Sequence, residues 1–339
     1  MIAFTYYHTF MHNDRPDLGI RRCIHCTSFG EINAAKHEFF VLSVAQLGYF
    51  WLQMYSKLTS LRAEFKRALD QFYDEREIDN IFFLVIEQKL GIDKLSYHAK
   101  VREITTAEKE TIEAQLAQLK TGAPVQYILG VTEFSGLKFR VDEHVLIPRP
   151  ETEELVEWVQ NDLGPESSTT IWDIGTGSGC IAVSLGARLP NSQVFGTDLS
   201  ESALDLASEN AKLNKVSERV TFGIHDVLNE DSPKLEGVSV IISNPPYIPY
   251  HEKETMDDHV TKYEPDLALF VQNDDPLIFY KRISEIAIEV LPLSGKLYFE
   301  LHEDLVQETR SVFDPRSWKV HLRQDLQGKD RMLRAEKIS

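Results

Sequence analysis

The tetrapeptide Asn244-Pro-Pro-Tyr247 combines groups suited to a reaction at a planar nitrogen. It follows the apolar run Val238–Ser243, so we expect it to open a loop at the end of a buried strand. Pro245 and Pro246 donate no backbone N–H and fix φ, which holds the neighbouring carbonyls in place. The Asn244 side-chain oxygen and the Pro245 carbonyl could accept the two hydrogens of an NH2 group. Tyr247 adds a flat face on which a planar group can lie.

A glycine-rich turn follows Asp173 at the end of the predicted strand Thr170–Ile174. Such a turn lets backbone N–H groups and the start of the next helix approach a ligand closely. It lacks the lysine of a phosphate-cradling loop, and Cys180 stands where a dinucleotide fingerprint requires glycine or alanine. It matches in full the Asp-x-Gly-x-Gly-x-Gly turn of proteins that bind S-adenosylmethionine (AdoMet). The candidate cofactor residues of this turn are Gly175, Thr176, Gly177, Ser178 and Gly179.

Acidic residues follow the next two predicted strands. Asp198 follows Gln193–Thr197, where a carboxylate would take the two ribose hydroxyls of a nucleoside. Asp226 and the adjoining Val227 follow the third strand and are candidate neighbours of an adenine; the alternative is that Asp226 caps a loop. Open α/β sheets bind ligands at the carboxyl ends of their strands, so we expect the glycine turn, Asp198 and Asn244 to share one edge.

The region that must position these residues, 168–300, alternates predicted strands and helices. This order is typical of a doubly wound parallel sheet in an α/β fold. The predicted strands are Thr170–Ile174, Gln193–Thr197, Val220–Ile224, Val238–Ser243 and Lys296–Leu301, with strand-like segments at Trp318–Leu322 and Arg331–Ala335. The predicted helices cover about Cys180–Arg188, Ser202–Leu213 and Pro276–Leu291, and we assign the whole domain to residues 151–339.

Two smaller segments precede this domain. Residues 54–120 carry apolar residues at helical spacing, which predicts three to five short helices that serve as a scaffold or in substrate recognition. Residues 121–150 change to a period of two, which predicts a β-hairpin linker. The alternating residues are Val125, Tyr127, Leu129, Phe134, Leu137, Phe139 and Val141, with glycines 122, 130 and 136 at the turns.

Residues 1–53 lack clear periodicity. Cys23-x-x-Cys26 resembles half a zinc site, but no second pair follows at a suitable spacing, so we predict no metal. The sequence from Met54 reads like an ordinary protein start. We therefore predict that translation begins at or near Met54, and that residues 1–53 are a disordered extension or an upstream artefact.

Composition narrows the class of protein. A net charge of −17 argues against a broad surface that tracks phosphates, and we expect no direct nucleic-acid binding. Three cysteines cannot form a disulfide framework, which favours a reducing compartment. Because no run of about 18 apolar residues occurs, we expect no membrane span. We predict a cytoplasmic monomer.

With these residues in view, the chain resembles the HemK/PrmC family of protein-(glutamine-N5) methyltransferases, which modify peptide-chain release factors. The resemblance covers about residues 58–336. Its most specific stretch is Leu146–Glu153, followed by Asp173–Gly179 and Ser243–Ile248; similar residues also fall at Glu264-Pro265, Gly328–Arg331 and Gly122–Gly130. Two residues depart from the family pattern, Val227 where an aromatic residue is common and His302 where glycine is usual.

The resemblance implies a class I AdoMet-dependent methyltransferase domain behind a small helical domain and a hairpin linker. It implies AdoMet held by Gly175–Gly179 and Asp198, with Asn244 also in contact with the cofactor. It implies that Asn244-Pro-Pro-Tyr247 holds the glutamine of a release factor's Gly-Gly-Gln motif. Acceptors at Asn244 and Pro245 would align the amide nitrogen and stabilise the positive charge that develops on it. Tyr247 would pack on the amide plane and exclude water. No general base is required, because the nitrogen becomes acidic once it is methylated.

Three alternatives stay open. A glutamine methyltransferase of a ribosomal protein would share the core and differ in what its N-terminal domain recognises. An adenine-N6 nucleic-acid methyltransferase could use the same tetrapeptide, but it would have to extract a base and grip a phosphate backbone. A non-catalytic AdoMet-binding scaffold is disfavoured by the intact Asn244–Tyr247 and Asp173–Gly179 segments.

Overall fold

The computed structural model describes residues 58–99, 104–229, 231 and 233–339. Ser60–Ser339 form one compact unit. The predicted extension 1–53, its Cys23-x-x-Cys26 pair and the predicted start at Met54 lie outside the described residues. No helix in the described ranges is both long and apolar enough to cross a bilayer.

The predicted helical segment forms short helices: residues 58–69 (α1), Glu75–Leu90 (α2), Lys94–Ala99 (α3) and Thr106–Leu119 (α4). Asp74 caps α2 by accepting two backbone N–H groups, and Thr105 forms a capping box with Glu108 at the start of α4. The helices bury Phe65 and Phe82, whose rings meet edge to face with centroids 5.3 Å apart. Capping and a shared aromatic core thus make this a packed module.

The linker differs from its prediction. Val125, Tyr127 and Leu129 lie in a helical turn, Val125–Leu129 (α5), and not in a strand. The hairpin is shorter: Val131–Phe134 (β1) pairs with Leu137–Arg140 (β2). Ser135 and Gly136 join the strands with φ of 52° and 74°, the backbone that a two-residue hairpin turn requires.

After Pro150–Leu163 (α6), the chain builds a seven-stranded sheet. Its strands are Thr170–Ile174 (β3), Gln193–Asp198 (β4), Val220–Ile224 (β5), Val238–Ser243 (β6), Lys296–Glu300 (β9), Trp318–Gln324 (β10) and Asp330–Lys337 (β11). The order is β10-β11-β9-β6-β3-β4-β5. Strands β5, β4, β3, β6 and β9 pair in parallel, whereas β11 is antiparallel to both β9 and β10. This mostly parallel sheet confirms the predicted fold class.

The connections of this sheet carry the remaining elements. Between strands lie Cys180–Arg188 (α7), Glu201–Leu213 (α8), Asp258–Thr261 (α9), Asp266–Leu269 (α10), Ile278–Val290 (α11) and Val306–Ser311 (α12). A two-residue ladder pairs Ile248–Pro249 (β7) with Phe270–Val271 (β8), and single 3₁₀ turns cover Tyr250–Thr255 and Glu303–Leu305.

The core lies on both faces of the sheet, because successive strand residues point to opposite sides. Ile171 packs in the cluster that holds side chains of α6, α7 and α8, and its neighbour Trp172 packs in the cluster that holds side chains of α11 and α12. Burial on both faces explains why the parallel strands read as continuous apolar runs. The carboxyl ends of β3, β4 and β6 therefore open onto one edge, where the candidate residues lie.

Candidate active site

The glycine turn joins β3 to α7 and lies against β4. The backbone N–H groups of Gly175 and Thr176 both donate to Thr197 O, at 2.8 and 2.9 Å. Gly175 and Gly177 have φ of 75° and 52°, and no atom lies within 4 Å of a Cβ built at either position. The turn therefore needs glycine for its backbone and leaves open space in front of it. This cradle fits a ligand held by main-chain groups at the start of α7.

Asp198 lies directly beside this turn, at the end of β4. Its Oδ2 accepts from Gly177 N at 2.8 Å, and its Oδ1 accepts from Ser200 N at 3.0 Å. Ser200 itself caps α8 by accepting from Ala203 N, so Asp198 is not needed as that cap. The structure thus brings Asp198 and the glycine turn together, as an AdoMet site would require; their roles in binding stay predictions.

Asp173 lies behind the turn and is fully buried. Its Oδ2 accepts from the Thr176 hydroxyl at 2.6 Å. Burial raises the pKa of Asp173 to about 7, and the negative charge of Asp198 adds to that rise. Thr176 and Ser178 are also buried, so this part of the turn contributes backbone rather than side chains to the open cradle.

Asn210 of α8 connects the turn to the linker hairpin. Its Nδ2 donates to Ser178 O at 2.9 Å and to Arg140 O at 3.0 Å, and its Oδ1 accepts from Arg140 N at 2.7 Å. The side chain is fully buried, so these hydrogen bonds have no competing water. One asparagine therefore fixes β2 and the glycine turn to the same helix.

The hydrogen bonds of Asp226 favour the loop-cap alternative. Its Oδ1 accepts from the N–H groups of Leu228 and Asn229, and its Oδ2 accepts from Asn229 Nδ2 at 2.9 Å. The preceding residue, His225, donates its N–H to Asp198 O, so this turn still borders the candidate cofactor site. Val227 packs against the cluster that contains α11 side chains. Adenine contacts of both residues stay predictions.

Asn244-Pro-Pro-Tyr247 opens the loop after β6, as expected from the sequence. The buried Ser243 hydroxyl donates to Ile174 O at 2.6 Å, which ties this strand end to β3. Pro245 is buried, and Asn244 and Tyr247 are half-buried. The Asn244 Nδ2 donates to Thr152 Oγ1 at 3.2 Å, and the Tyr247 hydroxyl donates to Glu300 Oε1 at 3.0 Å.

Sequence reasoning missed Thr152 and Glu300. Thr152 lies in the first turn of α6 and Glu300 at the end of β9; both are 2% exposed. The Thr152 hydroxyl donates to Glu300 Oε2 at 2.6 Å. A signal existed, because a carboxylate inside the apolar run Leu297–Leu301 must find partners if it is buried. Burial raises the pKa of Glu300, and hydrogen bonds from Thr152 and Tyr247 oppose that rise.

His302 also packs against Tyr247. Its ring meets the Tyr247 ring edge to face, with centroids 5.8 Å apart. Its Nδ1 accepts from Asp304 N at 3.2 Å, and its Nε2 lies 3.4 Å from Glu252 Oε2. The departure from glycine at this position therefore adds contacts around the tetrapeptide. Burial raises the pKa of Tyr247 well above its usual value and the Glu300 charge adds to it, so the phenol stays protonated.

Two further segments of the sequence meet at Glu264. Its Oε1 accepts from Arg149 Nη2 at 2.5 Å, and its Oε2 accepts from Ile147 N at 3.1 Å. This joins the stretch before α6 to the loop before α10, next to Thr152. A separate cluster, Asp142, Glu143 and His144, places its ligand atoms within 4.8 Å of one another. It lies at the surface, where water competes for any cation, and we assign it no role.

Comparisons with known proteins identify the family to which this chain is similar. Residues 60–130 match the family model described as PrmC N-terminal domain, and residues 151–263 match the Methyltransferase small domain. The chain is 42% identical to a release factor glutamine methyltransferase of Flavobacterium psychrophilum, over 82% of this chain and 98% of that protein. It is 38% identical to a protein of the same description from Bacteroides thetaiotaomicron, over 83% of this chain and 100% of the other.

Among solved structures, the chain is similar to a release factor-specific protein-(glutamine-N5) methyltransferase of Alicyclobacillus acidocaldarius. The identity is 29% and the TM-score 0.37, over 59% of this chain and 100% of that one.

Proposed function

The chain belongs to the release factor glutamine methyltransferase family, and from this premise we propose that it methylates the side-chain amide nitrogen of a glutamine in a peptide-chain release factor. The glutamine of a Gly-Gly-Gln motif is the proposed acceptor. The proposal rests most on one observation: the open glycine turn, Asp198 and Asn244 lie at the carboxyl ends of the neighbouring parallel strands β3, β4 and β6.

We assign AdoMet as the methyl donor. The backbone of Gly175–Gly179 and the Asp198 carboxylate would hold it, since that loop is open and pinned to β4. When bound, AdoMet supplies a methyl group activated by the positive charge of its sulfonium. The chain's own residues then have to orient and stabilise the acceptor nitrogen.

The amide nitrogen is a poor nucleophile, because its lone pair is delocalised into the carbonyl as in a peptide bond. Asn244 Oδ1 and the Pro245 carbonyl would accept its two hydrogens and fix its direction of attack. The same acceptors stabilise the positive charge that grows on nitrogen. Tyr247, held by Glu300 and His302, would cover the amide plane and exclude water. After transfer the methylated nitrogen is acidic, and its proton passes to solvent water.

Residues 60–130, which contain most of α1–α4, match the PrmC N-terminal domain, which supports a role of these helices in recognising the release factor. A cytoplasmic location follows from the translation factor that we propose as substrate. We also propose that the protein acts as a monomer and does not grip nucleic acid, in keeping with its net charge of −17.

The test is methyl transfer from labelled AdoMet to four acceptors. These are purified release factor, the same factor with its Gly-Gly-Gln glutamine replaced, ribosomal protein, and DNA. We expect label only in the intact release factor. Label in ribosomal protein or in DNA, with none in release factor, would instead support one of the two alternative methyltransferase classes.

A further inference from the structure

The buried Glu300 carboxylate is linked to both polar residues of the tetrapeptide, directly to Tyr247 and through Thr152 to Asn244. Glu300 Oε2 accepts from the Thr152 hydroxyl at 2.6 Å, and Glu300 Oε1 accepts from the Tyr247 hydroxyl at 3.0 Å. Its backbone carbonyl accepts from the Tyr280 hydroxyl at 3.0 Å, which holds the end of β9 in place. Thr152 in turn contacts Asn244. Thr152 comes from α6, Asn244 from the loop after β6 and Glu300 from the end of β9.

The direction of these hydrogen bonds follows from the chemistry of each group. While Glu300 is ionised it has no proton to give, so the only hydroxyl proton of Thr152 goes to Glu300, as in the observed contact. Thr152 Oγ1 can then only accept from Asn244. The amide must turn its Nδ2 toward Thr152, as observed at 3.2 Å. Its Oδ1, on the opposite branch of the planar group, is directed away from Thr152.

We propose that Glu300 and Thr152 are positioning residues that fix the rotation of the Asn244 amide, and that this rotation selects a glutamine amide over a carboxylate. The inference rests on the proposed function and identifies what enforces its specificity. An amide fixed with Oδ1 outward offers an acceptor, which suits the N–H groups of glutamine. An amide free to turn over could offer Nδ2 instead, which suits the oxygen of glutamate.

Loss of the Thr152 hydroxyl therefore affects discrimination. Thr152→Val keeps the size and β-branching of the side chain but removes the acceptor, whereas Thr152→Ser keeps the hydroxyl. The probes are release factor with its Gly-Gly-Gln glutamine and the same factor with that glutamine changed to glutamate. Binding of each is measured without AdoMet, so that the readout does not depend on turnover.

We expect the unsubstituted protein to bind the glutamine form more tightly. In Thr152→Val the ratio of the two dissociation constants should fall by about tenfold, the order expected for one hydrogen bond of defined direction. Thr152→Ser should restore most of the ratio. An unchanged ratio in Thr152→Val would show that the hydroxyl does not set the amide, and would overturn the proposal.

A second measurement separates positioning from general damage to the fold. If Thr152 acts through Asn244, Thr152→Val lowers kcat in the unsubstituted background and has little further effect once Asn244→Ala is present. Losses that add in the double variant would overturn the proposal. If the unsubstituted protein transfers no methyl group to release factor, the proposed function is wrong and the positioning role falls with it. Normal transfer with additive losses rejects the positioning role alone.

Discussion

Arg149 and Glu264 form an ion pair across 115 residues of sequence, with Arg149 Nη2 2.5 Å from Glu264 Oε1. The glutamate side chain is 1% exposed and the arginine side chain 35% exposed. Glu264 also accepts from Ile147 N, so the pair fixes the backbone that leads into α6 and Thr152.

Arg149→Met should leave the Glu264 carboxylate buried without its cation. Breaking a buried pair costs about 3–5 kcal/mol, and we expect about 2–4 because Arg149 is partly in contact with water. Urea unfolding measures this change. Adding Glu264→Gln removes the uncompensated charge and should recover part of the loss. A single variant as stable as the unsubstituted protein would contradict this account.

Asn244→Ala removes the proposed acceptor for the N–H groups of the substrate amide, whose nitrogen becomes positively charged in the transition state. We expect kcat to fall by about 10²–10³, as for loss of one group that stabilises a transition state, with much less change in AdoMet affinity. Labelled-methyl incorporation and calorimetry measure the two quantities. Asn191→Ala, in the exposed turn before β4, is a matched control. Near-full turnover in Asn244→Ala would remove Asn244 from the reaction.

Asp198→Asn should weaken AdoMet binding. The amide cannot keep both acceptor contacts to Gly177 N and Ser200 N, and it carries no charge for the ribose hydroxyls. Loss of a charged hydrogen bond of about 1.5–3 kcal/mol corresponds to a dissociation constant raised by about 10- to 100-fold. Asp205→Asn, on the exposed face of α8, should leave the affinity unchanged. Equal affinities of the two variants would show that Asp198 does not hold the cofactor.

Asp173 should make stability depend on pH. Burial raises its pKa to about 7 in the folded protein, above the usual value of 3.8. The contribution of Asp173 to the free energy of unfolding is therefore fully present below about pH 4 and is lost as pH rises through 7, by a few kcal/mol in all. Asp173→Asn cannot lose a proton. Its stability relative to the unsubstituted protein should therefore rise between pH 4.5 and pH 8 in urea unfolding; a constant difference would contradict the assignment.

Turnover should fall as Glu300 takes up a proton. Burial raises the pKa of Glu300, and the negative charge of Glu151 raises it further. The hydrogen bonds from Thr152 and Tyr247 and the positive charge of Arg331 lower it. The buried Tyr280 hydroxyl donates to the Glu300 backbone carbonyl. Protonated Glu300 can donate to Thr152 and so reverse the hydrogen bonds that orient Asn244. An ordinary glutamate has a pKa of about 4.3. As pH falls, kcat should therefore begin to decrease at a higher pH than titration of such a glutamate would produce. The same loss in Thr152→Val would mean that the titration does not act through Thr152.

Sequence patterns were enough for the sheet and for the edge that carries the site. Strands β3, β5 and β6 have the predicted bounds, because parallel strands buried on both faces read as uninterrupted apolar runs between turns. Asp198 and Asn244 could be placed at strand ends for the same reason. The alternation of predicted strands and helices indicated a parallel sheet, and the carboxyl ends of parallel strands share an edge.

The errors and omissions have physical causes. Val125–Leu129 alternates apolar and polar residues, but five residues are too few to separate a strand from one helical turn. Thr152 and Glu300 lie 148 residues apart, so no local pattern could reveal that they are hydrogen-bonded. The sequence allowed two roles for Asp226, a neighbour of the adenine or a cap of its own loop. It could not separate them, because it does not show the direction in which a loop carboxylate points.

Strand β9 lies between β6 and β11, although it is synthesised well after β6. Until residues 296–300 have left the ribosome, β6 has an unpaired edge and Thr152 has no carboxylate to receive its proton. The helices α1–α4, the hairpin and the glycine turn all come earlier in the chain. A nascent chain can therefore form the proposed cofactor cradle before the proposed acceptor site is complete. Asn244 and Tyr247 are thus synthesised before the Glu300 carboxylate, which the proposed acceptor site also requires.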